Sequence, residues 1–192
     1  MKLSKLWKPL TRDQKQAWRA WARNNKVLLA DGSFRRVSGH KAMTRVMHNR
    51  ALAGEAANPG VLPVAVAWLD GALDVTDSGP FTTNAGFVGF RVQQNLATST
   101  KWFVWATPPV GAAVINPRAQ LRFVTCLALG AVAADDSVGL NAQYEAVNGS
   151  WDGPGLDGEW PAPMFVWFRL HHYADGQLSP GVLLAGQIAL EL

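Results

Sequence analysis

Lys15, Arg19 and Arg23 recur every four residues, while Gln14, Ala17, Trp18 and Trp21 fall at i, i+3, i+4 and i+7 beside them. On a helix that spacing makes one face cationic and its neighbour aromatic. Arginine and lysine in such a row recognise carboxylates or phosphates, and indoles either anchor in a partner's pocket or stack on bases. Lys2, Lys5, Trp7 and Lys8 precede this segment, and Arg35, Arg36, Lys41, Arg45 and Arg50 follow it. The candidate partner-binding set is therefore Trp7, Lys15, Trp18, Arg19, Trp21, Arg23, Arg35, Arg36, Lys41 and Arg45.

Other chemistry has weaker sequence support. Gly153-Pro-Gly-Leu-Asp-Gly158 matches G-x-G-x-x-G in letters, but it neither follows a strand nor opens a helix, and Pro154 and Pro161 make it a loop. Asp152, Asp157 and Glu159 in that loop lack EF-hand spacing. His171 and His172 are adjacent on a strand, so they point to opposite faces, one packed and one exposed, and do not share a metal. His40 and His48 have no ligand partners at useful spacing and read as ordinary polar-face residues. Gly-x-Ser-x-Gly is absent, and Cys126, the only cysteine, lies in an apolar run as a buried small hydrophobe. Asn148-Gly149-Ser150 matches a glycosylation sequon but reads as a turn. The expectation is a protein that is not an enzyme, with no catalytic residues, no metal and no cofactor.

Charge points the same way. The first 50 residues hold thirteen Lys/Arg against Asp13 and Asp31, a formal +11, whereas residues 51 to 192 hold five against twelve acids, a formal −7. A basic arm that engages something acidic and an acidic body is the implied arrangement. The N-terminal residues alternate Lys with Leu and Trp, without the apolar core of a secretory signal, and no run reaches the ~18 apolar residues of a membrane helix. The expected location is the cytoplasm at synthesis, with incorporation into a virion or other particle, and no membrane contact.

The elements that carry these residues follow from local signals. Thr11 with Gln14 three residues on predicts a capped helix of about three turns ending at Asn24-Asn25, where Asn tolerates a left-handed residue. Val27 to Ala30 and Ser33 to Val37 around Asp31-Gly32 read as a hairpin. Ser38 caps a second helix through about Leu52, with Ala42, Met43, Val46 and Met47 inward, Lys41, Arg45 and His48 outward, and Gly54 as the stop. A basic module this poor in large aliphatics buries little area and needs a surface to lean on. After Asn58-Pro59-Gly60 and Pro63 the texture changes to seven short strand-like runs, 64–69, 87–93, 101–107, 121–129, 138–147, 164–173 and 182–190, with no helix among them. The fold expected is mainly β, an antiparallel immunoglobulin or fibronectin III-like sandwich (58–192) preceded by a small helix-hairpin-helix arm (1–57).

Phe165 to Pro180, with Gly176-Gln-Leu-Ser-Pro180 and the strand from Val182, resembles the last hairpin of a fibronectin type III domain, and Lys101 to Pro109 is similar to the third strand of such domains. The likeness covers roughly residues 63 to 192. It departs in length and in the second-strand Trp, for which only Trp68, in the first predicted strand, offers itself. The whole chain, through its Leu-Thr-x-x-Gln-x-x-Ala-Trp opening and Ser-Gly-His, also resembles uncharacterised bacterial and phage-associated proteins, a likeness that implies no chemistry. Three functions compete. The first is a structural or assembly protein whose basic arm docks on a neighbouring subunit or other acidic partner, through self-assembly or with other structural proteins. The second is nucleic-acid binding by the same arm, as in packaging. The third is a carbohydrate-binding sandwich using Trp151 and Trp160.

Overall fold

Thr11 opens the first helix through the reciprocal pairing its sequence context predicts. Its Oγ1 accepts from Gln14 N at 3.2 Å, and its own N–H donates to Gln14 Oε1 at 3.0 Å. The computed structural model describes residues 3–29, 33–64, 81–82, 89–91, 101–128, 137–149 and 164–189. Within them α1 spans Arg12–Asn24. Asn25 ends it in extended rather than left-handed backbone (φ −118°, ψ 141°), because its N–H and its side-chain amide both turn back to Trp21 O. Strands β1 (Val27–Leu28) and β2 (Phe34–Arg35) pair antiparallel; the Asp31-Gly32 turn lies outside the described residues. Helix α2 spans Gly39–Leu52 with Ser38 as its cap, and Gly54 follows at φ +71°.

The chain divides into two compact units, one of residues 1–68 with 172–180 and the other of 69–171 with 181–192. In unit one, Leu10, Trp18, Met43, Val46 and Met47 form a buried cluster flanked by Leu3, Leu6, Trp7, Trp21, Ala57 and Leu62. The segment after α2 packs here too: Trp18 Nε1 donates to Pro59 O at 2.8 Å, and Arg50 donates to Asn58 O and Val61 O. The small apolar cluster is supplemented by residues 172–180 of the same chain.

Those nine residues hold a two-residue turn, Asp175-Gly176, with φ of +47° and +79°, the backbone that Asp-Gly adopts most readily in a hairpin. A Cβ on Gly176 would lie 2.6 Å from Val46 Cγ1 and 2.9 Å from Val46 O, so only glycine lets the turn approach α2 this closely. Asn49 Nδ2 donates to Gly176 O at 2.8 Å. Asp175 accepts from Arg50 Nη2 at 2.5 Å and from Val64 N at 2.7 Å. Tyr173 donates its hydroxyl to Glu55 Oε2 at 2.5 Å. The module leans, in part, on its own chain.

Unit two is organised by a mostly antiparallel sheet in the order β3-β11-β9-β5-β7 (Phe81–Thr82, Val182–Ala189, Met164–Ala174, Lys101–Ala106, Arg122–Ala128). Strand β6 (Val110–Gly111) and β10 (Gln177–Leu178) also pair with β9, β3 runs parallel to β11, and β4 (Gly89–Arg91) pairs with β8 (Ser137–Gly139) separately. The segment expected as a strand over 138–147 instead gives β8 and then helix α3 (Asn141–Asn148). Ala142, Gln143, Glu145 and Ala146 are helix formers, and local propensity decided against continuing the strand. The architecture is thus mixed α and β, with antiparallel sheets compatible with a sandwich, rather than mainly β.

Helix α3 covers one face of the sheet. Tyr144 is fully buried with Leu140, Trp102, Val104, Val166, Phe168 and Leu170, and its hydroxyl donates to Thr107 O at 2.8 Å. On the opposite parity, Phe103, Trp105 and Phe123 meet with ring centroids 5.2 to 5.6 Å apart, and Trp105 meets the His171 ring at 5.1 Å. Strand β5 is therefore apolar on both faces because both faces are packed. The first predicted strand, of which only Val64 is described, Trp68 and the 150–163 loop with Trp151 and Trp160 lie outside the described residues.

Candidate functional site

Helix α1 sorts its side chains as its periodicity requires. Trp18 and Ala22 turn inward, and Arg19 and Arg23 stand exposed one turn apart. Gly39 brings the start of α2 against the α1 backbone, so close that a Cβ there would sit 2.8 Å from Arg19 N. That approach assembles a cleft of about 360 Å³ lined by Arg19, Arg23, Trp7, Ser38 and His40. The Trp7 and His40 rings lie 5.2 Å apart, and His40 Nε2 is 3.3 Å from Ser4 O. Lys41 is exposed on the same first turn of α2. Among the described residues Arg19, Arg23 and Lys41 form no ion pair.

No protein-family model, curated protein or solved structure matches the chain.

The remaining candidates divide between surface and interior. Trp18 is only 1% exposed and donates to Pro59 O, so it is a core residue and does not reach a partner. Trp21 is half-buried with its ring edge-on to Trp18 at 5.8 Å. Lys15 is half-buried and donates from Nζ to Lys8 O at 3.1 Å. Arg35 and Arg36 are exposed on the hairpin. Arg45 is half-buried, with Nε donating to Leu28 O at 2.8 Å, and burial lowers its pKa. The structure thus brings Trp7, Arg19 and Arg23 together and separates them from the Arg36 and Arg45 pair, which lines a second cleft.

Several sequence readings change. Arg50, counted with the cationic row, is 4% exposed and held by Asp175. His171 is buried and His172 half-buried, so neither is exposed; a Cβ on Gly181 would lie 2.4 Å from the His171 ring. Burial depresses the His172 pKa, and burial together with nearby Arg45 depresses that of His48. Cys126 is half-buried rather than enclosed. Asn148 closes α3 with both side-chain amide atoms buried, which leaves the sequon nitrogen inaccessible. Among the described residues no helix is long and apolar enough to cross a membrane. Sequence spacing missed the Asp175, Tyr173 and Glu55 contacts because their partners lie more than 100 residues apart; Asp175-Gly176 was the one local hint.

Proposed function

We propose that this is a non-enzymatic assembly protein whose basic unit docks on an acidic protein surface, the simplest candidate being the acidic unit of another copy. Unit one holds thirteen Lys/Arg and four Asp/Glu, a formal +9, while unit two holds five and ten, a formal −5. Opposed charges on one chain favour head-to-tail association, which closes into rings or runs on as filaments. The observation that carries this reading is the exposed pair Arg19 and Arg23 in the cleft with half-buried Trp7, with Lys41 exposed on the first turn of α2, cations that form no ion pair among the described residues. Exposed ion pairs contribute orientation and rate more than affinity, so the Trp7 cleft supplies the desolvated contact.

The same proposal takes unit two as a fibronectin type III-like building block of a virion or other particle. The long hairpin of β9 and β11, in register from Val182↔Leu170 to Ile188↔Met164, supports it. The test uses the full chain with Arg19→Glu, Arg23→Glu and Lys41→Glu together. Light scattering at low salt should find the natural chain assembled and the triple variant monomeric; an equally assembled variant, or a natural chain that stays monomeric, overturns the reading. One observation favours a second reading, nucleic-acid binding: the exposed cations exceed the indoles left accessible once Trp18 is buried. Retention on mixed-sequence DNA that falls steeply with salt, without self-association, would put that reading first.

A further inference from the structure

A second cleft in unit one, of about 500 Å³, is walled by the end of α1, the β1–β2 hairpin, α2 and the 176–180 segment. Its cations are Lys26, Arg36 and Arg45, and no Asp or Glu stands among its described lining residues. Arg45 and Arg50 lie on the same helix five residues apart and show what is missing. Arg50 gives its terminal nitrogens to Asp175 and two carbonyls. Arg45 spends only Nε, on Leu28 O, and its two terminal nitrogens have no partner among the described residues. A partly desolvated guanidinium without a counter-charge is costly, and an anion seated beside it removes that cost.

The rest of the wall suits an anion that carries an apolar body. Phe34, Val27, Leu28 and Leu178 supply apolar surface in the same cleft. The carbonyl end of α1, which would repel an anion, is partly quenched because Asn25 donates twice to Trp21 O. The fork of Arg45 is held in place by its Nε bond, so little rotamer freedom remains to be lost on binding.

We infer that this cleft binds a small organic anion, a carboxylate or phosphate on a compact apolar body, with Arg45 and Arg36 gripping the charge and Phe34 and Leu178 facing the body. The inference does not rest on the docking reading. Calorimetric titration of the full chain with phenyl phosphate and, separately, benzoate tells the two headgroups apart, while inorganic phosphate and benzyl alcohol test charge and body singly. At least one of the two aromatic anions should bind one per chain, at least tenfold tighter than inorganic phosphate, with no saturable signal for benzyl alcohol. Arg45→Gln and Arg36→Gln should each weaken binding tenfold or more, and Arg118→Gln in unit two should leave it unchanged. Arg36 is exposed, so its variant keeps the test decisive even if Arg45→Gln misfolds. The Arg19, Arg23 and Lys41 triple variant should still bind, which separates this site from the docking surface. No saturable binding to the natural chain, or undiminished binding to the Arg36→Gln variant, overturns the inference.

Discussion

Unit two is held by one continuous apolar cluster, whereas unit one joins two smaller clusters to a set of polar ties. In the former, ten buried residues from Trp102 to Leu170 form one cluster across sheet and helix. In the latter, eight buried apolar residues fall into two separate clusters, Leu10, Trp18, Met43, Val46 and Met47 and then Ala22, Val27 and Ala42, and these are supplemented by Arg50–Asp175, Asn49–Gly176, Tyr173–Glu55 and Val64–Asp175. The difference teaches how a cation-rich segment folds: where the apolar residues are divided between small clusters, charged and polar groups from a distant part of the chain tie the structure together.

The largest expected effect lies in the apolar unit. Phe168 is fully buried against Tyr144, and Phe168→Ala should cost about 3–5 kcal/mol by cavity formation. Chemical denaturation measures it; a loss under ~1 kcal/mol would show that the core is not what holds this unit. Next comes Asp175→Asn, which strands Arg50 at 4% exposure with its charge uncompensated. Because Asp175 is itself one-third exposed, solvent screens part of the pair, and a cost of about 2 kcal/mol is expected. Hydrogen exchange should quicken in α2 and remain slow in β5; equal loosening of both would erase the contrast between the units.

The smallest effect is acid weakening. His172 and His48 titrate lower in the folded chain than in the unfolded one, so the unfolded state binds the extra protons. Their contribution is complete above the unfolded value of about 6.5 and is lost as pH falls through the lower folded values. Melting temperature should be level from about pH 8 to 6.5 and drop towards pH 5, and replacing both histidines with Asn should flatten that drop. A natural chain whose melting temperature stays level across that range would contradict the lowered folded-state titration of these two histidines.

Local signals were legible where one short segment contains the whole cause. Thr11 with Gln14, Ser38, Gly54 and the inward set Ala42, Met43, Val46 and Met47 were all readable, as were most β strands. The 138–147 run was misread because Tyr144, Ala146 and Val138 fit an alternating pattern as well as a helical one, and the helix propensity of Ala142, Gln143, Glu145 and Ala146, joined by the packing of Tyr144 on the sheet, decides between them. Of the candidate site, the cationic row was visible, yet Trp18 and Arg50 had to be withdrawn from the surface. Periodicity sorts residues onto faces but does not say which face a later segment will cover.

By itself the sequence determined the capped helices, the hairpins and the segregation of charge, since each depends on residues within about one turn or on composition alone. Tertiary structure decided which arginines are satisfied and which are exposed. Asp175 meets Arg50 across 125 positions of chain, a pairing that no local spacing encodes, and the same folding leaves the Arg45 fork without a carboxylate among the described residues.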